Sequence, residues 1–115
     1  MRRREKDIKL AGLKYLKTLE NQGEIIWVDR LNSGKYFIPG SMGYRGRLIQ
    51  GCRAGTPDSF VILKSGRIVW IEYKGNGKLT DEQKKFRSMV TGIGHAHLVI
   101  RDIDSLIEAM EKILL

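Results

Sequence analysis

The sequence has little of what would place it among disulfide-bonded or membrane-inserted proteins. Its 115 residues include a single cysteine, Cys52, which excludes an internal disulfide and a zinc site built from thiolates alone. No apolar run approaches the ~20 residues needed to span a bilayer. Charged residues follow the basic segment 1–4, where a signal peptide requires an apolar stretch. We therefore expect a cytoplasmic protein.

Acidic residues and linker-like segments are also scarce. Asp and Glu number 13 against 21 Lys and Arg, which gives a formal net charge of +8. Such an excess favours polyanionic partners, nucleic acid first, because Lys and Arg bind phosphates and release counterions. No glycine- or proline-rich linker divides the chain, so residues 1–115 are predicted to form one domain.

Apolar spacing and turn residues predict alternating helices and strands. A helical stripe covers residues 5–20, Thr80 and Gln83 form a capping box that starts a second helix, and Asp104 is predicted to cap a third. Strands are predicted over residues 25–29, 35–38, 58–63, 67–74 and 97–100, with a turn at 32–34 and a glycine-rich, basic loop over 40–55. The order α-β-β-β-β-α-β-α predicts an α/β fold with a mixed sheet flanked by helices.

Asp58, Glu72 and Lys74 stand out because they end two otherwise apolar strands. Side chains alternate along a strand, so Glu72 and Lys74 share a face. A two-residue hairpin turn would place Asp58 on the other face, whereas a three-residue loop places it directly opposite Glu72. The three-residue loop needs a left-handed third residue, which is where Gly66 stands. The sequence therefore favours the register that brings the two carboxylates together.

Two opposed carboxylates repel each other unless a cation lies between them. Mg²⁺ and Mn²⁺ prefer such hard oxygen ligands and also hold a phosphate oxygen and a water. Lys74 would then orient or deprotonate that water, or offset charge in the transition state. Taken singly, these residues are ordinary solvated strand ends or a salt bridge. Apolar residues on both faces of the strand pair instead predict a central, covered hairpin, where charges need a partner.

An ordered set of motifs resembles the PD-(D/E)xK nuclease superfamily. The motifs are G-T-P-D over residues 55–58, I-E-Y-K over 71–74 and Q-x-x-F over 83–86. With the helix start "GKLTDEQKKF", they are similar to the short stand-alone form of its virus-type replication-repair nuclease (VRR-NUC) branch, found in phages and bacteria. The resemblance implies a PD-(D/E)xK restriction-endonuclease-like fold. It also implies a DNA endonuclease that depends on Mg²⁺ or Mn²⁺ and acts in a bacterial cell or a phage-infected host.

The resemblance further implies roles for individual residues. Asp58 and Glu72 would bind the metal, with the main-chain carbonyl of Tyr73 as a third ligand. Lys74 matches the catalytic lysine of the superfamily. Gln83 matches a helix glutamine that lies beside the active site, and its alternative role is the capping box with Thr80.

The first predicted helix and the expected partners are also covered by the resemblance. Glu5 matches a glutamate of the N-terminal helix that approaches the metal in this superfamily. Glu20 is the other candidate on that helix. The alternative is that Glu5 is exposed and faces water. The resemblance implies a homodimer that acts on branched DNA such as Holliday junctions, in replication, repair or recombination. The competing hypotheses are a non-catalytic DNA-binding module and a nuclease subunit of a larger complex.

Several basic residues near the carboxylates are predicted to bind DNA phosphates. They lie in the loop before the first carboxylate and around the second helix: Arg45, Arg47, Arg53, Lys78 and Lys84. Tyr44 is a candidate to stack on a base or sugar, whereas Trp27 and Trp70 are expected in the core. His95 and His97 are interpreted as structural or surface residues, because carboxylates already supply the ligands that a hard cation prefers.

Overall fold

A four-stranded mixed sheet forms the centre of the fold in a computed structural model that describes residues 5–32 and 35–115. The described residues form three helices and six strands: α1 (Glu5–Asn21), β1 (Trp27–Arg30), β2 (Lys35–Ile38), β3 (Arg47–Gln50), β4 (Ser59–Ile62), β5 (Ile68–Tyr73), α2 (Asp81–Gly92), β6 (Ala96–Ile100) and α3 (Ile103–Ile113). The sheet order is β1-β4-β5-β6, with β6 parallel to β5 and the other pairs antiparallel. The predicted mixed α/β architecture is confirmed. The predicted turn at Ser33 and Gly34 lies outside the described residues.

Helices cover both faces of this sheet. Ile8 and Leu16 of α1 and Leu106 and Met110 of α3 are fully buried against one face. On the other face the Phe86 ring of α2 meets a strand tryptophan edge-on, with ring centroids 5.0 Å apart. Because apolar area removed from water stabilises by about 25 cal/mol per Å², these two layers hold β4 and β5 in the centre of the sheet.

The β4–β5 hairpin has the register that Gly66 predicts. Ser59 pairs with Ile71, and the pairing continues in the same register to Ile62 and Ile68. There the Leu63 N–H donates to the Arg67 carbonyl at 2.9 Å, which leaves a three-residue loop. Gly66 is the third loop residue and has φ +89°, a left-handed conformation that glycine adopts without strain. The predicted loop is therefore confirmed.

Three expectations drawn from the sequence are wrong. The predicted loop over residues 40–55 contains β3, which pairs with the predicted strand β2 because the two strands satisfy each other's backbone groups, although Leu48 of β3 stays exposed. Asp102, and not Asp104, caps α3, and its carboxylate accepts a hydrogen bond from the Ser105 N–H at 2.7 Å. Trp27 is 51% exposed, because it lies on the edge strand β1 and alternation turns its neighbour Val28 inward.

The β2–β3 hairpin projects from the rest of the fold, and we call residues 35–50 the arm. Within the part of the chain that the structure describes, β2 and β3 pack against each other and against no other helix or strand. The radius of gyration is 15.9 Å, with extents of 56 × 33 × 29 Å. A compact domain of this length is expected to have a radius of gyration of about 13 Å, so the shape is elongated, as a projecting arm requires.

Candidate active site

Asp58 is fixed by backbone hydrogen bonds where β4 begins. Its N–H donates to the Ile71 carbonyl at 3.1 Å, although Ile71 is already the partner of Ser59. Asp58 and Ser59 therefore both face Ile71, as in a β-bulge, which re-aims a side chain at the end of a ladder. The prediction that Asp58 lies directly opposite Glu72 is wrong for this reason, although the two side chains still meet. The Asp58 carbonyl accepts from the Leu31 N–H at 2.7 Å, and Asp58 Oδ2 accepts from the Tyr73 N–H at 2.7 Å.

The carboxylate of Glu72 is buried next to Asp58. Only 4% of Glu72 is exposed, and its Oε2 has no hydrogen-bond partner in the described structure. Burial, together with the negative charge of Asp58 and a hydrogen bond to its side chain, raises the pKa of Glu72 to about 8. Lys74 and Lys9 oppose this rise through their positive charges. The two carboxylates thus converge at one end of the sheet.

Lys9 of α1 is a member of this cluster that sequence reasoning missed. Its Nζ lies 3.4 Å from Asp58 Oδ1 and 3.4 Å from Glu5 Oε1. Although partial burial opposes it, the charges of Asp58 and Glu5 raise the pKa of Lys9 above its usual value. Helical i, i+4 spacing links Lys9 to Glu5. No sequence signal links it to Asp58, because that contact depends on how α1 packs against the sheet.

A cleft of about 280 Å³ opens between α1 and the ends of the central strands. Charged residues and apolar side chains of α1 share its lining, which consists of Glu5, Lys6, Lys9, Leu10, Leu13, Arg30, Asp58, Ser59 and Tyr73. Glu5 therefore lies at the carboxylate cluster. Glu20 lies near the far end of α1, where its Oε2 accepts a hydrogen bond from the Val28 N–H at 2.8 Å. Of the two helix glutamates considered from the sequence, Glu5 is the one near Asp58.

Tyr73 and Lys74 continue the cluster along β5. The Tyr73 N–H points toward Asp58. Since the N–H and C=O of one strand residue point to the same side, its carbonyl also faces the side on which β4 begins. Lys74 is half-buried and follows the end of β5, where its N–H donates to the Ile100 carbonyl at 2.9 Å. By strand alternation, its side chain lies on the face of Glu72.

The cluster offers oxygen ligands to a small divalent cation. Among residues 5–32 and 35–115, no three His, Cys, Asp or Glu side chains group as a metal site. Two carboxylates and one main-chain carbonyl nonetheless suit Mg²⁺, which usually binds one or two carboxylates and keeps several waters or phosphate oxygens. The unpartnered Oε2 of Glu72 and its proximity to Asp58 fit this group, because a cation would satisfy the oxygen and offset the repulsion.

Gln83 occupies the capping box at the start of α2. Its Oε1 accepts from the Thr80 N–H at 2.8 Å, and its own N–H donates to Thr80 Oγ1 at 3.2 Å. The structural alternative for Gln83 is thus confirmed, and its role beside the active site stays a prediction. The helix start lies against Gly55 of the segment that precedes Asp58, since a Cβ at Gly55 would lie 2.7 Å from the Glu82 carbonyl oxygen.

Substitutions at Gln83 test its role in the capping box. Gln83→Ala is expected to lower the free energy of unfolding by about 1 kcal/mol, because it removes half of the capping box. Gln83→Glu preserves an acceptor at this position and is expected to retain stability. Urea denaturation of both variants measures the capping role. Equal stability of Gln83→Ala and the parent protein would contradict it.

The basic residues predicted to contact DNA do not line the cleft at the cluster. All five are exposed: Arg45 and Arg47 in the arm, Arg53 at its base, and Lys78 and Lys84 beside the start of α2. Tyr44 near the arm tip is 81% exposed.

The two histidines lie within the fold. His95 Nδ1 accepts a hydrogen bond from the Ile68 N–H at 3.1 Å, which confirms a structural role. His97 is half-buried against Phe86, with ring centroids 6.4 Å apart.

No family model, curated protein or solved structure matches this chain. The resemblance to VRR-NUC proteins therefore depends on the residues of the chain and the positions that they occupy in the fold. Among the described helices, none is both long enough and apolar enough to cross a membrane.

Proposed function

We propose that this protein is a DNA endonuclease that depends on Mg²⁺ or Mn²⁺, with the PD-(D/E)xK fold of the VRR-NUC branch. The observation that carries the proposal is the buried carboxylate of Glu72, which lies beside Asp58 and whose Oε2 has no hydrogen-bond partner in the described structure. Burying two adjacent carboxylates without a cation is unfavourable, and the pair lies at one end of two central strands. The G-T-P-D motif of the resemblance supplies Asp58, and the I-E-Y-K motif supplies Glu72 and ends in Lys74.

The residues of the cluster divide the chemistry between them. Asp58 and Glu72, with the Tyr73 carbonyl, would hold the cation, which when bound polarises the scissile phosphate and stabilises its transition-state charge. Lys74 orients the attacking water or offsets charge on the phosphate. The Tyr73 N–H keeps Asp58 in place through its 2.7 Å hydrogen bond. Before a cation binds, Lys9 neutralises part of the negative charge from its position 3.4 Å from Asp58.

Branched DNA, a Holliday junction among the possible forms, is the proposed substrate, and a homodimer is the proposed active form. The net charge of +8 and the exposed basic residues support a nucleic acid partner. A homodimer would present two clusters to two strands of one junction, which would give paired incisions. Replication, repair or recombination would supply such DNA.

Cleavage of a DNA panel tests the proposed activity. The panel contains a labelled four-way junction, a flap, a nicked duplex and a linear duplex, each with Mg²⁺, Mn²⁺ or EDTA. We expect metal-dependent incision of branched forms, and Lys74→Ala is expected to lower the single-turnover rate at least about 100-fold, because the lysine acts on the transition state. Lys64→Ala, in the hairpin loop at the other end of β4, is the matched control and should cut normally.

The alternatives give different results in the same panel. Binding of branched DNA without cutting, in every metal, would favour a non-catalytic binding module. Cutting only after addition of a host or phage extract would favour a subunit of a larger complex. Undiminished cleavage by both Glu72→Ala and Lys74→Ala would refute the mechanism. Light scattering of the purified protein, alone and with the junction, tests the homodimer.

A further inference from the structure

The arm is attached to the fold beside the carboxylate cluster. The Leu31 N–H, just before the arm, donates to the Asp58 carbonyl at 2.7 Å. After the arm, the Cys52 N–H donates to the Asn32 carbonyl and closes its base. The chain then runs through Gly55, beside the start of α2, back to Asp58. A DNA strand bound at the cluster would therefore pass the base of the arm.

The arm and its base carry charge of one sign. Every charged residue between Arg30 and Pro57 is basic: Arg30, Lys35, Arg45, Arg47 and Arg53. Acidic residues number 13 in the whole chain, so their absence from this segment concentrates positive potential there. Such a segment attracts a polyanion and repels an identical basic segment of a second copy.

The tip of the arm has an unusual backbone and an exposed apolar end. The Tyr44 N–H donates to the Ser41 carbonyl at 2.9 Å, and the two residues between them, Met42 and Gly43, have φ of +53° and +82°. Two left-handed central residues make a type I′ turn, which favours asparagine or glycine. Met42 is the one non-glycine residue with positive φ in the described part of the chain. Its side chain is 93% exposed, so neither packing nor turn preference explains a methionine there.

The shape and chemistry of the arm match DNA. A two-stranded antiparallel ribbon fits the major groove, which is about 12 Å wide. Exposed methionine and aromatic side chains can insert between base steps or stack on unpaired bases. Phe37 and Leu48 are exposed cross-strand partners, and such apolar side chains contact thymine methyl groups in the major groove. Bases next to a branch point are easier to unstack than bases inside a duplex, so an apolar tip would favour branched DNA.

We propose that the arm is the branch-recognition element of this protein: Arg45 and Arg47 hold duplex phosphates while Met42 and Tyr44 stack on bases at the branch point. This inference depends on the proposed function, because it places the branch point next to the carboxylate cluster. It assigns to the arm the preference for branched over linear DNA, and to the cluster the cleavage itself.

The test compares binding of a four-way junction and of a linear duplex with the same sequence. Fluorescence anisotropy is measured with Mg²⁺ in the Glu72→Gln background, which is expected not to cut. The tip variant is Met42→Gly with Tyr44→Ser, since glycine favours the left-handed turn and should preserve the arm. We expect junction affinity to fall about 10-fold and duplex affinity to change less than about 2-fold. Met89→Ala, which alters an exposed methionine of α2, is the control and should leave both affinities unchanged.

A second variant tests the phosphate contacts. Arg45→Gln with Arg47→Gln is expected to weaken binding of both DNAs and to reduce the slope of log affinity against log salt by about 2. Lys64→Gln, at the far end of the β4–β5 hairpin, removes a positive charge without touching the arm and should leave the slope unchanged. The fluorescence of a 2-aminopurine base at the branch point should change on binding of the unmutated tip, which alters the stacking of that base, and should stay at the free-junction level with the tip variant.

The results separate failure of the arm from failure of the nuclease. Junction preference that persists in the tip variant, with metal-dependent cutting by the unmutated protein, would overturn the inference alone. A tip variant that changes from dimer to monomer in light scattering, and loses junction binding for that reason, would also overturn it by assigning the arm to a second copy. An unmutated protein that neither binds nor cuts any DNA in the panel would refute the proposed function as well.

Discussion

Replacing Glu72 by glutamine is expected to stop DNA cleavage and, at the same time, to stabilise the metal-free protein above pH 8. The reason is the pKa of the buried carboxyl, which is raised to about 8 by burial and by Asp58. A group whose pKa is higher in the folded than in the unfolded chain stabilises the fold below its unfolded pKa. That stabilisation is lost as the pH rises through the folded pKa. Glutamine has the same shape and carries no charge at any pH.

The pKa of Glu72 sets how much the free energy of unfolding should change with pH. Between pH 6 and the folded pKa of about 8, the parent protein without metal should lose stability on the order of 3 kcal/mol. Glu72→Gln should show little of this loss. Mg²⁺ should restore stability to the parent protein at pH 9 and have less effect at pH 6, because a cation competes with the proton for the carboxylate.

Urea denaturation at pH 6 and pH 9, each with EDTA or Mg²⁺, measures these effects, and single-turnover cleavage measures activity. The cleavage rate of Glu72→Gln should fall on the order of 10³-fold, since metal stabilisation of the transition state is worth several kcal/mol. Glu24→Gln, on an exposed glutamate after α1, is the control and should match the parent protein in both assays. A parent protein whose metal-free stability is the same at pH 6 and pH 9 would show that Glu72 is not held as described.

Gly12→Ala is expected to destabilise the protein, although alanine is the better helix former. Gly12 is buried in α1, and a Cβ there would lie 2.8 Å from two ring carbons of Tyr73 and closer still to its hydroxyl. Overpacking of this kind costs about 1–3 kcal/mol, which exceeds the gain of about 1 kcal/mol from helix propensity. The displaced ring would also move the Tyr73 N–H that holds Asp58. Activity should therefore fall together with stability.

Two further variants isolate the contact with the ring. Gly92→Ala, at the end of α2, adds a Cβ with nothing within 4 Å, so it should be neutral or slightly stabilising. Tyr73→Phe removes the hydroxyl nearest to the added methyl group, so it should recover part of the stability of Gly12→Ala. Urea denaturation of the single and double variants measures the coupling. A Gly12→Ala protein as stable as the parent would exclude close packing of α1 on Tyr73.

Local sequence signals predicted the parts of the site that lie along one hairpin. Gly66 favours one loop length, and that loop length fixes which residues of β4 and β5 are opposite each other. Strand alternation then places Glu72 and Lys74 on one face. Thr80 and Gln83 likewise form the predicted capping box, because both partners lie within one helical turn. In each case the interacting residues are close in sequence or joined by one turn.

Contacts between elements that are distant in the chain could not be predicted from the sequence. The spacing of apolar residues predicted α1, but it did not place Lys9 beside Asp58 or Gly12 beneath Tyr73. Those contacts depend on the angle and depth at which α1 packs on the sheet, and that packing is set by the shapes of buried side chains from several elements. Strand β2 was predicted, but its partner β3 was missed, since the adjacent Leu48 and Ile49 lack the alternation that predicts a strand and β3 gains its order from backbone pairing.

By itself, the sequence determined that the chain is a basic α/β protein with a carboxylate pair and a lysine at one end of a central hairpin. The residues responsible interact over short stretches of chain, where turn chemistry and strand alternation suffice. Only the tertiary structure decided that Lys9 and Glu5 join this cluster, that Glu20 does not, and that a basic arm projects from its edge. Those outcomes depend on packing between elements far apart in the chain, which no local pattern encodes.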